Sequence, residues 1–264
     1  MLSLQIRPYW QSAVLVLAIA CPSAGIFFAS GVAGDFENRL ASGALFLAAG
    51  AMSLIVFFQE MYAFYVTNSR RLLWMSAAFF TLGIGMVGSS ISTSGGLAAD
   101  SYVGVSEMFR VTSEFAASIF ILLGTLRSDR SIQESMEFKA YILVATIMVA
   151  AASTIIYIAT LQESIHVPVY SSEYGWSLFS LYIELNVFSF FLVISGVYVA
   201  SRRKNKSPIL FWFIIGFLLL TFSEVAFTTE KALGIGAASS LVWAGKAFLV
   251  AAFATFVLGL TKAR

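Results

Sequence analysis

Residues 104–126 read GVSEMFRVTSEFAASIFILLGTL, an apolar run that nonetheless carries Glu107, Arg110 and Glu114. About 20 predominantly apolar residues cross the hydrocarbon core of a bilayer, so this stretch predicts a transmembrane helix. Its three charges are spaced i, i+3 and i+7, which sets them on one helical face with Arg110 in reach of either carboxylate. An ionisable side chain at such depth costs roughly 2.5–3.5 kcal/mol on insertion scales, so this face must look toward protein or water. One helix of a bundle with a charged interior is the reading that follows.

The rest of the chain supplies the bundle. Of its 264 residues, 59% are hydrophobic and 11% charged, whereas soluble domains carry about 25% charged residues. Further spans of the required length are predicted at 11–32, 40–67, 71–93, 139–161, 176–200, 208–229 and 237–260. The fold class expected is all-α, a polytopic bundle of about eight spans forming one integral-membrane domain over 1–264. The N-terminal stretch around Arg7 and Cys21 runs on through Phe28, longer than a signal-peptide core, and reads as an uncleaved first span. Cys21 is the only cysteine, which leaves no intrachain disulfide.

Orientation follows from the positive-inside rule. Eight spans with both termini cytoplasmic place Arg7, Arg70, Arg71, Arg127, Arg130, Lys139, Arg202, Arg203, Lys204, Lys206, Lys262 and Arg264 inside, leaving Arg39 and Lys231 outside. Asp35, Glu37, Asp100, Glu163, Glu173 and Glu230 then fall in outer loops. The expected location is the inner, plasma membrane, crossed many times. The run Arg202-Arg203-Lys204-Asn205-Lys206 reads as a cytoplasmic topology anchor, with a phospholipid or partner contact as the other reading. Short loops punctuated by Gly34-Asp35, Ser94-Gly95-Gly96 and Ser207-Pro208 leave no room for a second domain.

Other spans offer matching polar faces at similar depth in the outer half. Glu184 shares a face with Ser177 and Ser180, Glu224 with Thr221 and Thr228, and Lys246 with Ser239 and Trp243. Glu107, Arg110, Glu114, Glu184, Glu224, Trp243 and Lys246 form the candidate ligand-binding set. Four carboxylates face two cations, so at least one glutamate is expected to be protonated or to hold an external cation. The competing reading is structural: Arg110 and Lys246 pin helices together through ion pairs. Glu60, in the cytoplasmic third of its span, is expected to pair with Arg70 or Arg71, with capping of a neighbouring helix as the other reading.

Several chemistries are excluded. The single histidine, His166, sits in a predicted outer loop with Glu163 and reads as solvated, so bis-histidine haem ligation and a nitrogen–sulfur metal site lack donors. Walker A, dinucleotide and nucleophile-elbow motifs are missing, and the basic residues form a cytoplasmic rim rather than a nucleic-acid patch. Lys246 in the last span raises retinal, held as a Schiff base with Glu114 as counterion. Val242, one turn earlier, stands where such pigments often carry an acid, and the span count is eight. A transporter lacks an inverted repeat or broken-helix signal. No catalytic residue and no particular cofactor is indicated.

Three stretches carry a family resemblance: Glu60 to Gly85, with its Glu-Met-Tyr-Ala-Phe start and Arg70-Arg71-Leu72-Leu73; Arg110 to Leu123; and Tyr182 to Leu260, with Glu184, Arg202-Arg203-Lys204, Ser223-Glu224-Val225-Ala226-Phe227 and Gly245-Lys246. They resemble the membrane-associated sensor domains of the MASE type, third class, which precede histidine kinases and diguanylate cyclases. Members of that family carry histidine at the end of the third span and a His-x-x-Lys pair in the last. This chain has Gly88-Ser89-Ser90 and Trp243-Ala244-Gly245-Lys246 there. The resemblance implies a cytoplasmic output domain, and the sequence closes at Thr261-Lys262-Ala263-Arg264, so a sensor module without one is expected. Two functions follow. Either the charged pocket binds a small ligand, ion or proton and signals through a protein partner without catalysis, or the bundle is an accessory scaffold subunit of a larger membrane complex.

Overall fold

A computed structural model of the protein describes Cys21 and residues 38–95, 99–126, 170–171, 175–204, 207–233 and 239–261. Six long helices lie in these segments: α1 (Arg39–Thr67), α2 (Arg70–Ser94), α3 (Ala99–Leu126), α4 (Leu178–Lys204), α5 (Pro208–Leu233) and α6 (Ser240–Thr261). Each is long and apolar enough to cross a membrane, and the fold is all-α apart from a two-stranded antiparallel hairpin, β1 (Tyr170–Ser171) and β2 (Gly175–Trp176). The predicted spans 11–32 and 139–161 lie outside the described residues.

Local chemistry sets the helix ends. Asn38 caps α1, its side-chain oxygen accepting from Ala41 N at 3.0 Å. At the other end Asn68 takes the left-handed conformation, φ 53°, with its N–H on Phe64 O at 2.7 Å. Asparagine tolerates that conformation, so α1 stops and α2 starts after a two-residue turn. Pro208 opens α5, where its fixed φ suits the first helical position.

The helices close into a ring, each packing on the next in chain order and α6 returning to α1. Most neighbours are antiparallel, but α3 and α4 run in the same direction, as do α6 and α1. Arg110 meets Glu184 and, further along both helices, Phe115 meets Phe190 at a centroid distance of 6.0 Å. Small residues bring α2 against α3: Ser89 Oγ donates to Ser106 O at 2.8 Å, and Thr93 and Ser106 hydroxyls lie 2.9 Å apart. A Cβ on Gly85 would stand 2.1 Å from Ser113 Cβ and 2.9 Å from the Phe109 carbonyl oxygen. Close approach of this kind holds membrane helices together where lipid removes the hydrophobic drive.

The two halves of the bundle differ in chemistry. Toward the end where α1 finishes and α2 begins, Phe79, Phe213, Phe217, Phe253 and Phe256 pack edge to face, with Phe217 and Phe256 at 5.0 Å and Phe79 and Phe256 at 5.1 Å. Toward the opposite end, the interior is charged. Apolar side chains such as Leu47, Ile55, Phe58 and Tyr62 on α1 and Tyr182, Leu185 and Leu192 on α4 point outward, the inside-out arrangement a lipid solvent permits.

One boundary corrects the sequence reading. The span expected to end at 229 continues to Leu233, so Glu230 and Lys231, assigned to an outer loop, are helical and buried, 1% and 7% exposed. Lys231 is accommodated because carboxylates from two other helices meet its ammonium.

Candidate functional site: a charge cluster shared by three helices

Arg110 is fully buried and is the hub of the charged half of the bundle. Its own helix supplies two acceptors: Nε donates to Glu107 Oε2 at 3.1 Å, Nη2 to Glu107 Oε1, and Nη1 to Glu114 Oε2 at 2.7 Å. From α4, Glu184 Oε1 accepts from Nη2, and from α5, Glu224 Oε1 accepts from Nη1 at 3.4 Å. A planar guanidinium with five donors in a fixed fork suits this task, which a lysine could not perform. The ring of Phe227, one turn after Glu224, lies beneath the guanidinium at 3.8 Å. That ring is admitted by Gly245 on α6, where a Cβ would come within 2.8 Å of it.

A second cation completes the cluster. Lys231 Nζ donates to Glu107 Oε1 and to Ser180 Oγ at 2.7 Å, and lies 2.8 Å from Glu184 Oε1. Glu224, Phe227 and Lys231 fall on one face of α5, and Ser180 and Glu184 on one face of α4, as helical spacing requires. Sequence reasoning placed Glu107, Arg110, Glu114, Glu184 and Glu224 at a common depth, and the fold brings all five together. It missed Lys231, whose position seven residues after Glu224 was the available signal.

Lys246 and Trp243 do not join them. Lys246 Nζ donates to Ser42 Oγ on α1 at 2.6 Å and stands over the rings of Phe46 and Trp243, and none of the four glutamates is paired with it. The role assigned to Lys246 as a cluster cation therefore belongs to Lys231, because the α6 lysine points toward α1 rather than toward α3. Glu114, the counterion a retinal Schiff base on Lys246 would use, is held by Arg110. Glu60 is buried with its Oε2 lacking a hydrogen-bond partner, and Arg71, one of the two arginines expected to meet it, is the cation that acts on it electrostatically. Arg71 also lies over the Tyr198 ring at 5.1 Å.

The charge balance is four carboxyl groups against two cations. Glu114 Oε1, Glu184 Oε2, Glu224 Oε2 and Thr228 Oγ1 are buried without a hydrogen-bond partner. Glu107 keeps 12% of its side chain exposed where the other three are sealed. Among the described residues no group of three or more His, Cys, Asp or Glu side chains is arranged to hold a metal ion. Chemically the arrangement can bind or release charge, and it ties α3, α4 and α5 together as it does so.

No curated protein and no solved structure matches the chain. A family model described as membrane-associated sensor domain, the third class of the MASE type, matches residues 44–263 and so takes in all six helices from the second turn of α1 onward. With its spanning helices and its charged interior inside that matched region, the chain belongs to the membrane-associated sensor domain family.

Proposed function

We propose that this protein is a sensor module of the inner membrane whose outer-half charge cluster takes up and releases protons, shifting the packing of α3, α4 and α5 and passing that shift to a protein partner at the cytoplasmic helix ends. The observation that carries this reading is the set of three sealed carboxylate oxygens without partners around only two cations. Burying an uncompensated charge is prohibitive, so a carboxyl group in this position neutralises or acquires a counter-charge. A proton needs less room than a small ligand or a metal ion. The set Glu107, Arg110, Glu114, Glu184 and Glu224, extended by Lys231, is the proposed sensing site, and the module carries no catalysis of its own.

The proposal includes eight spans with both termini cytoplasmic, in one domain. The parallel run of α3 and α4 supports it, since the fourth and sixth of eight alternating spans run in the same direction. The partition of basic residues supports the orientation, with Lys231 now withdrawn from the outer loops into the bundle.

The test is infrared spectroscopy of the whole chain in lipid nanodiscs, following the carbonyl stretch of protonated carboxyl groups from about pH 5 to pH 8. A band that grows as pH falls and shrinks in Glu224→Gln or Glu114→Gln is expected. Its absence at every pH, or its indifference to all of the glutamine variants, would overturn the reading.

A second function is favoured by one observation, that Arg110 reaches all four glutamates and so staples three helices. Such a bundle also suits an accessory scaffold in a larger membrane complex. Gentle extraction from the native membrane separates the two: enzyme or electron-transfer subunits recovered in fixed ratio favour the scaffold, and a kinase or cyclase favours the sensor.

A further inference from the structure

The guanidinium of Arg110 divides the four glutamates into two pairs. Glu107 takes Nε and Nη2 with its two oxygens, and Glu184 Oε1 also accepts from Nη2. Lys231 sits on that edge, donating to Glu107 Oε1 and lying 2.8 Å from Glu184 Oε1. There two carboxylates meet an ammonium as well as two guanidinium nitrogens. At the other end the single nitrogen Nη1 serves both Glu114, at 2.7 Å, and Glu224, at 3.4 Å. The excess negative charge of the cluster therefore falls on Glu114 and Glu224.

Both of these carboxyl groups are sealed, and Glu114 Oε1 and Glu224 Oε2 have no hydrogen-bond partner. The two groups are within hydrogen-bonding reach of each other, a contact that two carboxylates cannot make because neither has a hydrogen to give. A single proton supplies it: one carboxyl donates, the other accepts, and the pair falls to one negative charge opposite Nη1. Glu107 and Glu184 also lie within reach of each other, but there Lys231 bridges them with hydrogens of its own. The charged groups acting on Glu114 and Glu224 are Arg110, Glu107 and Glu184. Lys231 lies further along α5, and Lys246 of α6 is turned toward Ser42 on α1.

We propose, resting on the proton-sensing reading above, that the site holds one proton shared between Glu114 on α3 and Glu224 on α5, and that this proton clasps the two helices together across the bundle. α3 and α5 are not neighbours around the ring, so the join between them is made by side chains reaching through the interior. Release of the proton to water leaves two carboxylates facing each other, which weakens the join and frees α5 to move. That movement passes to α6 where Ser223 Oγ donates to the Gly245 carbonyl at 2.9 Å and the Phe227 ring seats against Gly245.

The test records the protonated-carboxyl band of the whole chain in nanodiscs from about pH 5 to pH 8, for the wild type and for Glu107→Gln, Glu114→Gln, Glu184→Gln and Glu224→Gln. A shared proton predicts complete loss of the band in Glu114→Gln and equally in Glu224→Gln, since the new amide donates to the remaining carboxylate in the proton's place. Glu107→Gln and Glu184→Gln are expected to keep it. In melts over the same range the wild type is expected to lose stability as pH rises and the band fades, while Glu224→Gln melts at one temperature throughout. A band halved in each of Glu114→Gln and Glu224→Gln means two separate protons and overturns the clasp. A band that survives in both and is lost in Glu107→Gln or Glu184→Gln overturns it too, leaving the proton-sensing reading intact. A wild type without the band at any pH overturns both. If Glu114→Gln does not fold, Glu224→Gln decides alone.

Discussion

Arg110 and Glu224 are ion-paired, yet removing the charge from each is expected to have opposite consequences. At an effective dielectric constant of about 20, the 3.4 Å separation of Arg110 Nη1 and Glu224 Oε1 corresponds to about 5 kcal/mol of attraction. Glu114 Oε2 sits 2.7 Å from the same nitrogen, so the two carboxylate oxygens are at most 6.1 Å apart and repel by about 3 kcal/mol or more. Glu107 and Glu184 add repulsion from the other side of the guanidinium, and desolvation costs several kcal/mol per ion. The ionised form of Glu224 thus gains little or nothing from its place, and Glu224→Gln is expected to leave stability within about 1 kcal/mol of wild type or raise it. Arg110→Gln strips the hub from four carboxyl groups and is expected to cost about 3–5 kcal/mol, the usual penalty for breaking a buried pair from one side. In thermal unfolding of nanodisc-embedded protein, at about 2–4 °C per kcal/mol for a chain of this size, that is a fall of roughly 6–20 °C. The double variant is expected to recover part of the loss, since it removes one of the stranded carboxylates. An Arg110→Gln protein that melts with the wild type, or a Glu224→Gln protein that falls as far as Arg110→Gln, would refute the charge balance drawn above.

Exchanging the two lysines gives a second contrast: Lys231→Met is expected to lower stability by about 3–5 kcal/mol and Lys246→Met by about 1 kcal/mol or less, both read from the same melts. Gly85→Ala forces α2 and α3 apart against a backbone oxygen and a serine Cβ, and is expected to cost about 1–3 kcal/mol; an unchanged melting temperature would mean that the two helices pack less closely than described. Asn68→Ala places a Cβ-bearing residue without a compensating side-chain hydrogen bond in the left-handed turn and is expected to cost about 1–2 kcal/mol. Asn68→Gly, measured alongside it, should restore wild-type stability.

Much of the fold was legible because a bilayer leaves few options: a backbone without water must form helices, and their length is set by the hydrocarbon thickness. Helix boundaries were the weaker part. The span ending at 229 ran on to Leu233 because Lys231, which reads as a loop residue by its charge, is helical once Glu107 and Glu184 meet it. The short hairpin at 170–176 carried no signal distinguishable from a loop. In the site, helical spacing told which residues share a face of one helix, so Glu107, Arg110 and Glu114 were found together from α3 alone. It could not tell which face meets which neighbour.

That division has a physical origin. Period and composition are properties of a single helix, so the sequence by itself determined an all-helical membrane bundle, the common depth of the acidic residues, and an excess of carboxylates over cations. Pairing between helices depends on their rotation and order around the ring, which no single segment contains. Only the tertiary structure decided that Lys231 rather than Lys246 completes the cluster and that Arg110 reaches glutamates on three helices. The choice rests on packing: Gly245 admits the Phe227 ring under Arg110 and so turns α5 to present Glu224 and Lys231 to α3 and α4, while Lys246, the next residue along α6, faces Ser42 on α1.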